Sequence, residues 1–127
     1  MPDDLKGKRI LIVDDDRDIL SAIEATLQPE GAELLTARDG NTAIDLAERE
    51  KPDLVILDMM LPKRSGFLVM EKLKRDRDPA DVPRVIMITA NLGTRHKQYA
   101  ERLGVNGYLN KPFRMEKLLA EVKKVLG

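Results

Sequence analysis

The sequence predicts a doubly wound α/β domain, a five-stranded parallel sheet in the order 2-1-3-4-5 with five helices covering its two faces. Short apolar runs alternate with amphipathic stretches five times, the pattern of repeated strand-helix units. The runs Ile10-Leu11-Ile12-Val13 and Leu54-Val55-Ile56-Leu57 are continuously apolar, as strands buried on both faces are. Polar residues break the pattern at strand ends, where open α/β sheets bind their ligands.

Each element has a local reason. After the first strand, Ile19, Ile23, Thr26 and Leu27 share one helical face, and Pro29-Glu30-Gly31 stops the helix. Glu33 to Ala37 reads as a shorter, more polar strand and belongs at the sheet edge. Asp39-Gly40-Asn41 is a turn and cap before a helix with Ala43, Ile44 and Ala47, which Lys51-Pro52-Asp53 halts ahead of the third strand. Ser65 caps a helix carrying Val69, Met70 and Leu73, and the stretch from Asp76 to Pro83 leads to the fourth strand, Val85 to Ile88. A helix around Gln98 to Leu103 ends at Gly104, a C′ position suited to positive φ. Gly107 to Asn110 forms the fifth strand, and Met115, Leu118, Leu119, Val122 and Leu126 mark the last helix.

A length of 127 residues supports one core and not two, so a single domain over 1–127 is expected, with no room for an output domain. The 22 basic residues balance 22 acidic ones, which speaks against direct nucleic-acid binding or attraction to an anionic membrane. No apolar run approaches the ~20 residues of a membrane helix, and Met1-Pro2-Asp3-Asp4 has no signal-peptide character. The absence of Cys fits a reducing cytoplasm. The GxxxxGK[ST] and GxGxxG fingerprints are missing, which argues against nucleotide binding.

With right-handed crossovers, strands one, three, four and five lie side by side and converge their tips. Those tips carry Asp14-Asp15, Asp58, Thr89 and Lys111. Clustered carboxylates repel, so they imply a divalent cation or a stored proton. Asp15 and Asp58 suit Mg²⁺, and Asp14 suits orienting a metal-bound water. Lys111 supplies a point charge and Thr89 a small donor, which completes a set of groups for handling phosphate. Pro112 confines Lys111 to extended backbone and leaves the bond between them open to the cis form.

In these residues the chain resembles a receiver domain of the bacterial response-regulator family, of the chemotaxis-regulator kind, along essentially its whole length. The matching pieces are Asp14-Asp15, Asp58, Met59-Met60-Leu61-Pro62 with Gly66, Thr89-Ala90 and Lys111-Pro112-Phe113. The resemblance implies a flavodoxin-like fold in a signalling domain rather than an enzyme. It also implies phosphoryl transfer to Asp58 from a sensor histidine kinase or phosphotransfer protein, and Mg²⁺ held by Asp15, Asp58 and the Met60 carbonyl, with Asp14 beside it. A switch would pair Thr89 with Tyr108 and present a changed face to an unknown downstream protein. Many members carry Asn where this chain has Met60; that change and Asn91 bear on the lifetime of the phosphate.

Blander roles suit other residues. Asp16 and Asp18 read as N-terminal helix acids, His96 as a solvated helix residue and the six Met as core filler. The run Lys72, Lys74, Arg75 and Arg77 is interleaved with Asp76 and Asp78 and reads as a solvated helix end. Two alternatives stand beside the leading reading: the receiver of a larger regulator with an output domain, and an aspartyl-phosphate hydrolase of the haloacid-dehalogenase type with its nucleophile in Asp14-Asp15-Asp16. Asp18 replaces the Thr or Val that the hydrolase motif expects, and Asp58 would have no task there.

Overall fold

The structure, a computed structural model, describes residues 4–61, 65–75, 82–90 and 93–127, with the backbone alone at 93–96. The strands are β1 (Arg9–Val13), β2 (Glu33–Ala37), β3 (Leu54–Asp58), β4 (Arg84–Thr89) and β5 (Gly107–Asn110). The helices are α1 (Arg17–Leu27), α2 (Gly40–Glu50), α3 (Gly66–Lys74), α4 (Gly93–Arg102) and α5 (Met115–Leu126). All strand pairs are parallel and the order is β2-β1-β3-β4-β5, as the sequence predicts.

Residue parity decides which face each strand residue serves, because successive side chains point to opposite sides of the pleat. Ile10, Ile12, Leu54, Ile56, Ile86 and Ile88 pack with Leu20, Ile23 and Leu27 of α1 and Leu118 and Val122 of α5. Leu11, Val13, Val55, Leu57, Val85 and Met87 pack with Ala43, Ile44 and Ala47 of α2 and Val69, Met70 and Leu73 of α3. Ile56 is fully buried at the sheet centre. Truncating it to Ala should cost about 2–5 kcal/mol, from lost transfer energy and the cavity left behind.

Caps fix the helix starts. Asp16 accepts from the amides of Asp18 and Ile19, Asp39 from Thr42 and Ser65 from Leu68. Asp16 is therefore the N-cap of α1 and Asp18 an acid in its first turn, the roles expected of them. Gly104 has a φ of 86°, as its place past α4 requires. The Lys74 ammonium lies where a side chain at residue 104 would sit, so Lys74 meets the end of α4 rather than solvent alone.

Some local expectations shift. The buried residues of α1 are Leu20, Ile23 and Leu27, while Ile19 and Thr26 are half-buried, because the sheet meets the helix slightly to one side of the sequence stripe. Helix α4 starts at Gly93, earlier than its apolar residues suggested, since Gly93-Thr94-Arg95-His96 carries no apolar period. Met59, Met70 and Met87 are core residues, but Met60 is 61% exposed. Pro62, Asn91 and the stretch 76–81 lie outside the described residues, as does the His96 side chain. No helix among the described residues is long and apolar enough to cross a membrane.

Candidate functional site

Register carries the acids together. Val13 pairs with Leu57 and Asp58 with Ile88, so the next residue of β1, Asp14, arrives beside Asp58 at the same end of the sheet. The ladder continues past both strand ends, with the Asp14 amide bonded to the Ala37 carbonyl at 3.1 Å and the Met59 amide to Ile88 at 2.9 Å. Asp14 and Asp58 continue the parity of Ile12 and Ile56, and both are buried, at 1% and 3% exposure. Asp15 is exposed, yet carboxylate oxygens of Asp14, Asp15 and Asp58 all lie within 4.8 Å of one another.

Lys111 follows β5 and shares the parity of Leu109, which lies opposite Ile88. Its ammonium reaches Asp14 at 2.9 Å and Asp58 at 3.3 Å. The peptide bond between Lys111 and Pro112 is cis. The second oxygen of Asp58 accepts from the Met60 amide at 3.0 Å, and the Met60 side chain turns outward to solvent.

Gly66 lets α3 approach the tip of β3. Its amide donates to the Met59 carbonyl at 2.8 Å, and a Cβ there would stand 2.6 Å from the Asp58 carbonyl oxygen and 2.7 Å from Met59 Cα. Those are backbone atoms, so any side chain would push α3 away.

Thr89 lies on the opposite parity. It continues Val85 and Met87, is fully buried, and its hydroxyl completes no hydrogen bond of full geometry among the described residues. Tyr108 pairs with Met87, two residues short of Thr89, and packs against the same α2 and α3 side of the sheet. Its hydroxyl is buried and close enough to the Thr89 hydroxyl for a loose hydrogen bond between them, though neither completes one of full geometry among the described residues.

The electrostatics follow from crowding. Burial pushes the Asp58 carboxyl above the usual carboxylate value; the Met60 amide opposes this, Asp14 adds to it, and Lys111 does not cancel it. Burial alone would lower the Lys111 ammonium, but its contact with Asp14 and the charges of Asp58 and Asp14 raise it above the ordinary lysine value. One cation is shared, and Asp14 holds it more closely than Asp58 does. Burial likewise raises the Tyr108 phenol, partly offset by Thr89.

Three carboxylates around one ammonium leave excess negative charge beside solvent, and a hard divalent cation coordinated by oxygen would balance it. The residues present fit Mg²⁺. Sequence reasoning missed Arg38, whose guanidinium donates to the Asp15 carbonyl at 3.3 Å, and Lys97, whose ammonium stands 6.0 Å from the centre of the Tyr108 ring. Arg38 follows the tip of the strand next to β1, which was a usable signal. Lys97 gave none, since a lysine on a polar helix reads as solvated.

Comparison with known proteins agrees with the geometry. The model of the response regulator receiver domain matches residues 10–123. Over 118 residues, 93% of this chain and 48% of the relative, the chain is 42% identical to the DNA-binding dual master transcriptional regulator RpaA of Synechocystis; it spans about half the length of that protein. Among solved structures it resembles the chemotaxis response regulator CheY4 of Vibrio cholerae, at 30% identity and a TM-score of 0.84 over 93% of this chain and 98% of that one. It also resembles the receiver domain of a Pseudomonas aeruginosa sensor histidine kinase with a magnesium ion coordinated in its active site cleft. That match has 29% identity and a TM-score of 0.83 over 95% of this chain and 98% of the other.

Proposed function

We propose that Asp58 is the phosphoryl acceptor of this chain, which belongs to the response regulator receiver domain family and is a signalling domain. The donor is a phosphohistidine of a sensor histidine kinase or phosphotransfer protein. A carboxylate oxygen of Asp58 bonds to phosphorus as the phosphorus–nitrogen bond breaks, leaving an acyl phosphate on Asp58 and a free imidazole on the donor. The observation that carries this reading is the position of Asp58: a buried carboxylate at a strand tip, with Asp14, Asp15 and Lys111 gathered around it.

Asp15, Asp58 and the Met60 carbonyl would hold Mg²⁺, and Asp14 would orient one of its waters. When bound, the cation supplies neutralising charge for the phosphoryl oxygens. Lys111 offsets charge on the same group, and Thr89 offers it a hydroxyl that completes no hydrogen bond of full geometry among the described residues. Captured by the phosphoryl group, that hydroxyl would change what Tyr108 faces, and the shifted α4-β5-α5 surface would change its affinity for a downstream protein. Chemistry of the chain's own is limited to self-directed phosphotransfer and autodephosphorylation, and its compartment is the cytoplasm.

The test is acetyl phosphate with Mg²⁺, read by mass spectrometry. One phosphoryl group should appear, located on Asp58, and Asp58→Asn should abolish it. A label on Asp14 would overturn the assignment and promote the hydrolase. Asp15→Asn should weaken Mg²⁺ binding more than Asp14→Asn; the reverse order would exchange their roles.

A further inference from the structure

Asp15 differs from the two acids beside it. Asp14 and Asp58 are buried and each has partners, whereas the Asp15 carboxylate is exposed and has neither hydrogen bond nor ion pair among the described residues. Yet one of its oxygens lies within 4.8 Å of carboxylate oxygens of both. Two neighbouring carboxylates repel it and no side chain pulls it in, so its backbone must hold it there.

That backbone is tied at three points. The Asp14 amide donates to the Ala37 carbonyl at the tip of β2, at 3.1 Å. The Asp16 amide donates to Asp14 Oδ1 at 2.9 Å, and the other oxygen of that carboxylate lies 2.9 Å from the Lys111 ammonium. The Asp15 carbonyl accepts from Arg38 Nη2 at 3.3 Å. The Asp15 carbonyl and the Asp16 amide belong to one planar peptide unit, which is therefore gripped at both of its polar ends. A buried acid makes one grip and the exposed Arg38 makes the other, so Arg38 can be removed without touching the carboxylate cluster.

We propose that Arg38 is a positioning residue: its guanidinium holds the peptide between Asp15 and Asp16 and thereby keeps the exposed Asp15 carboxylate turned towards Asp14 and Asp58, where the three can take a divalent cation together. Without Arg38 the unit is held at its amide alone, and repulsion carries the carboxylate outward. Arg38 acts through Asp15 and not on the cation itself. An exposed hydrogen bond from a charged donor should bias the loop towards the held arrangement about three- to ten-fold. The consequence for Mg²⁺ rests on the proposed function, but the clamp on the loop does not.

The first experiment is a Mg²⁺ titration followed by amide resonances, with no phosphoryl donor present. Arg38→Met should weaken Mg²⁺ binding about three- to ten-fold. Charge alone predicts the opposite sign, because removing a cation near the cluster should tighten the binding of another. Unchanged or tighter binding therefore overturns the proposal.

The second experiment needs no metal. Hydrogen exchange of the Asp16 amide in the Mg²⁺-free chain should quicken about three- to ten-fold in Arg38→Met, while exchange at Ile56, fully buried in the central strand, stays within about two-fold of wild type. Equal acceleration at both sites would report a loss of global stability, and none at Asp16 would mean that no clamp exists; either result overturns the proposal. Two further variants separate this inference from the function it draws on. The Arg38 effect on the Asp16 amide should persist in Asp58→Asn, so a different phosphoryl acceptor would leave it standing, and its own failure would leave phosphorylation of Asp58 untouched. An Asp15→Asn chain that binds Mg²⁺ as tightly as wild type would overturn the ligand assignment, and with it the role of Arg38 towards the cation.

Discussion

At the carboxyl edge of the sheet, the two faces hold their buried polar groups in opposite conditions. On the α1 and α5 side, Asp14 and Asp58 share the Lys111 ammonium, and Asp58 also accepts from the Met60 amide. On the α2 and α3 side, Thr89 and Tyr108 bury hydroxyls that complete no hydrogen bond of full geometry among the described residues. One face shares a single cation between two buried acids and leaves negative charge in excess; the other keeps donors unspent. On the proposed function, the contrast separates the group that would be modified from the groups that would respond. An acid tied to a cation stays where the sheet puts it, whereas a hydroxyl without a well-formed hydrogen bond is available to whatever arrives.

Removing Lys111 should have the largest effect. Lys111→Met leaves Asp14 and Asp58 facing each other uncompensated and should destabilise the fold by about 3 kcal/mol, the low end for a broken buried pair because Lys111 is partly exposed. Urea unfolding at neutral pH measures it, and a loss below about 1 kcal/mol would erase the contrast between the faces. The raised Lys111 value sets the pH window: its contribution is complete below the ordinary lysine value and is lost as pH climbs through the raised folded value. The gap between wild type and Lys111→Met should therefore narrow in alkali.

Gly66→Ala comes next, at about 2 kcal/mol, because the added methyl meets backbone at Asp58 and Met59 that cannot move aside. Slower labelling of Asp58 by acetyl phosphate should accompany the loss. An unchanged midpoint and rate would mean that α3 does not need its close approach.

Thr89→Val sharpens the comparison by reversing the sign. Replacing an unpaired buried hydroxyl with a methyl should stabilise the fold by about 1 kcal/mol, and equally at pH 5 and pH 8, since nothing titrates. A loss of stability would show that the hydroxyl already has a partner in solution.

Asp58→Asn should also stabilise at neutral pH, by a similar or smaller amount, on the order of 1 kcal/mol, but with a pH dependence that Thr89→Val lacks. Because the folded value of Asp58 is raised, the native state binds the extra proton between the ordinary carboxylate value and the raised one, and wild-type stability falls as pH rises through that window. The advantage of Asp58→Asn should be full above the window and vanish below the ordinary value. A gain that persists in acid would assign it to packing rather than to charge.

Much of this was legible in the chain itself. Continuous apolar runs, caps at Asp39 and Ser65 and a glycine past α4 are local signals, and together they specified strands, helices and their order. The strand tips named Asp14, Asp15, Asp58, Thr89 and Lys111, because a polar residue ending an apolar run has few other places to go. The tertiary structure decided how these residues differ. Register sent Asp14 and Asp58 to one face and Thr89 and Tyr108 to the other, buried Asp14 while leaving Asp15 exposed, and brought Lys111 nearer to Asp14 than to Asp58. It also brought Arg38 to the Asp15 carbonyl and Lys97 over Tyr108. Secondary structure and strand tips follow from neighbours along the chain, so sequence determines them; pairing and burial depend on which strands lie side by side and in what register, and only packing the helices on the sheet fixes that.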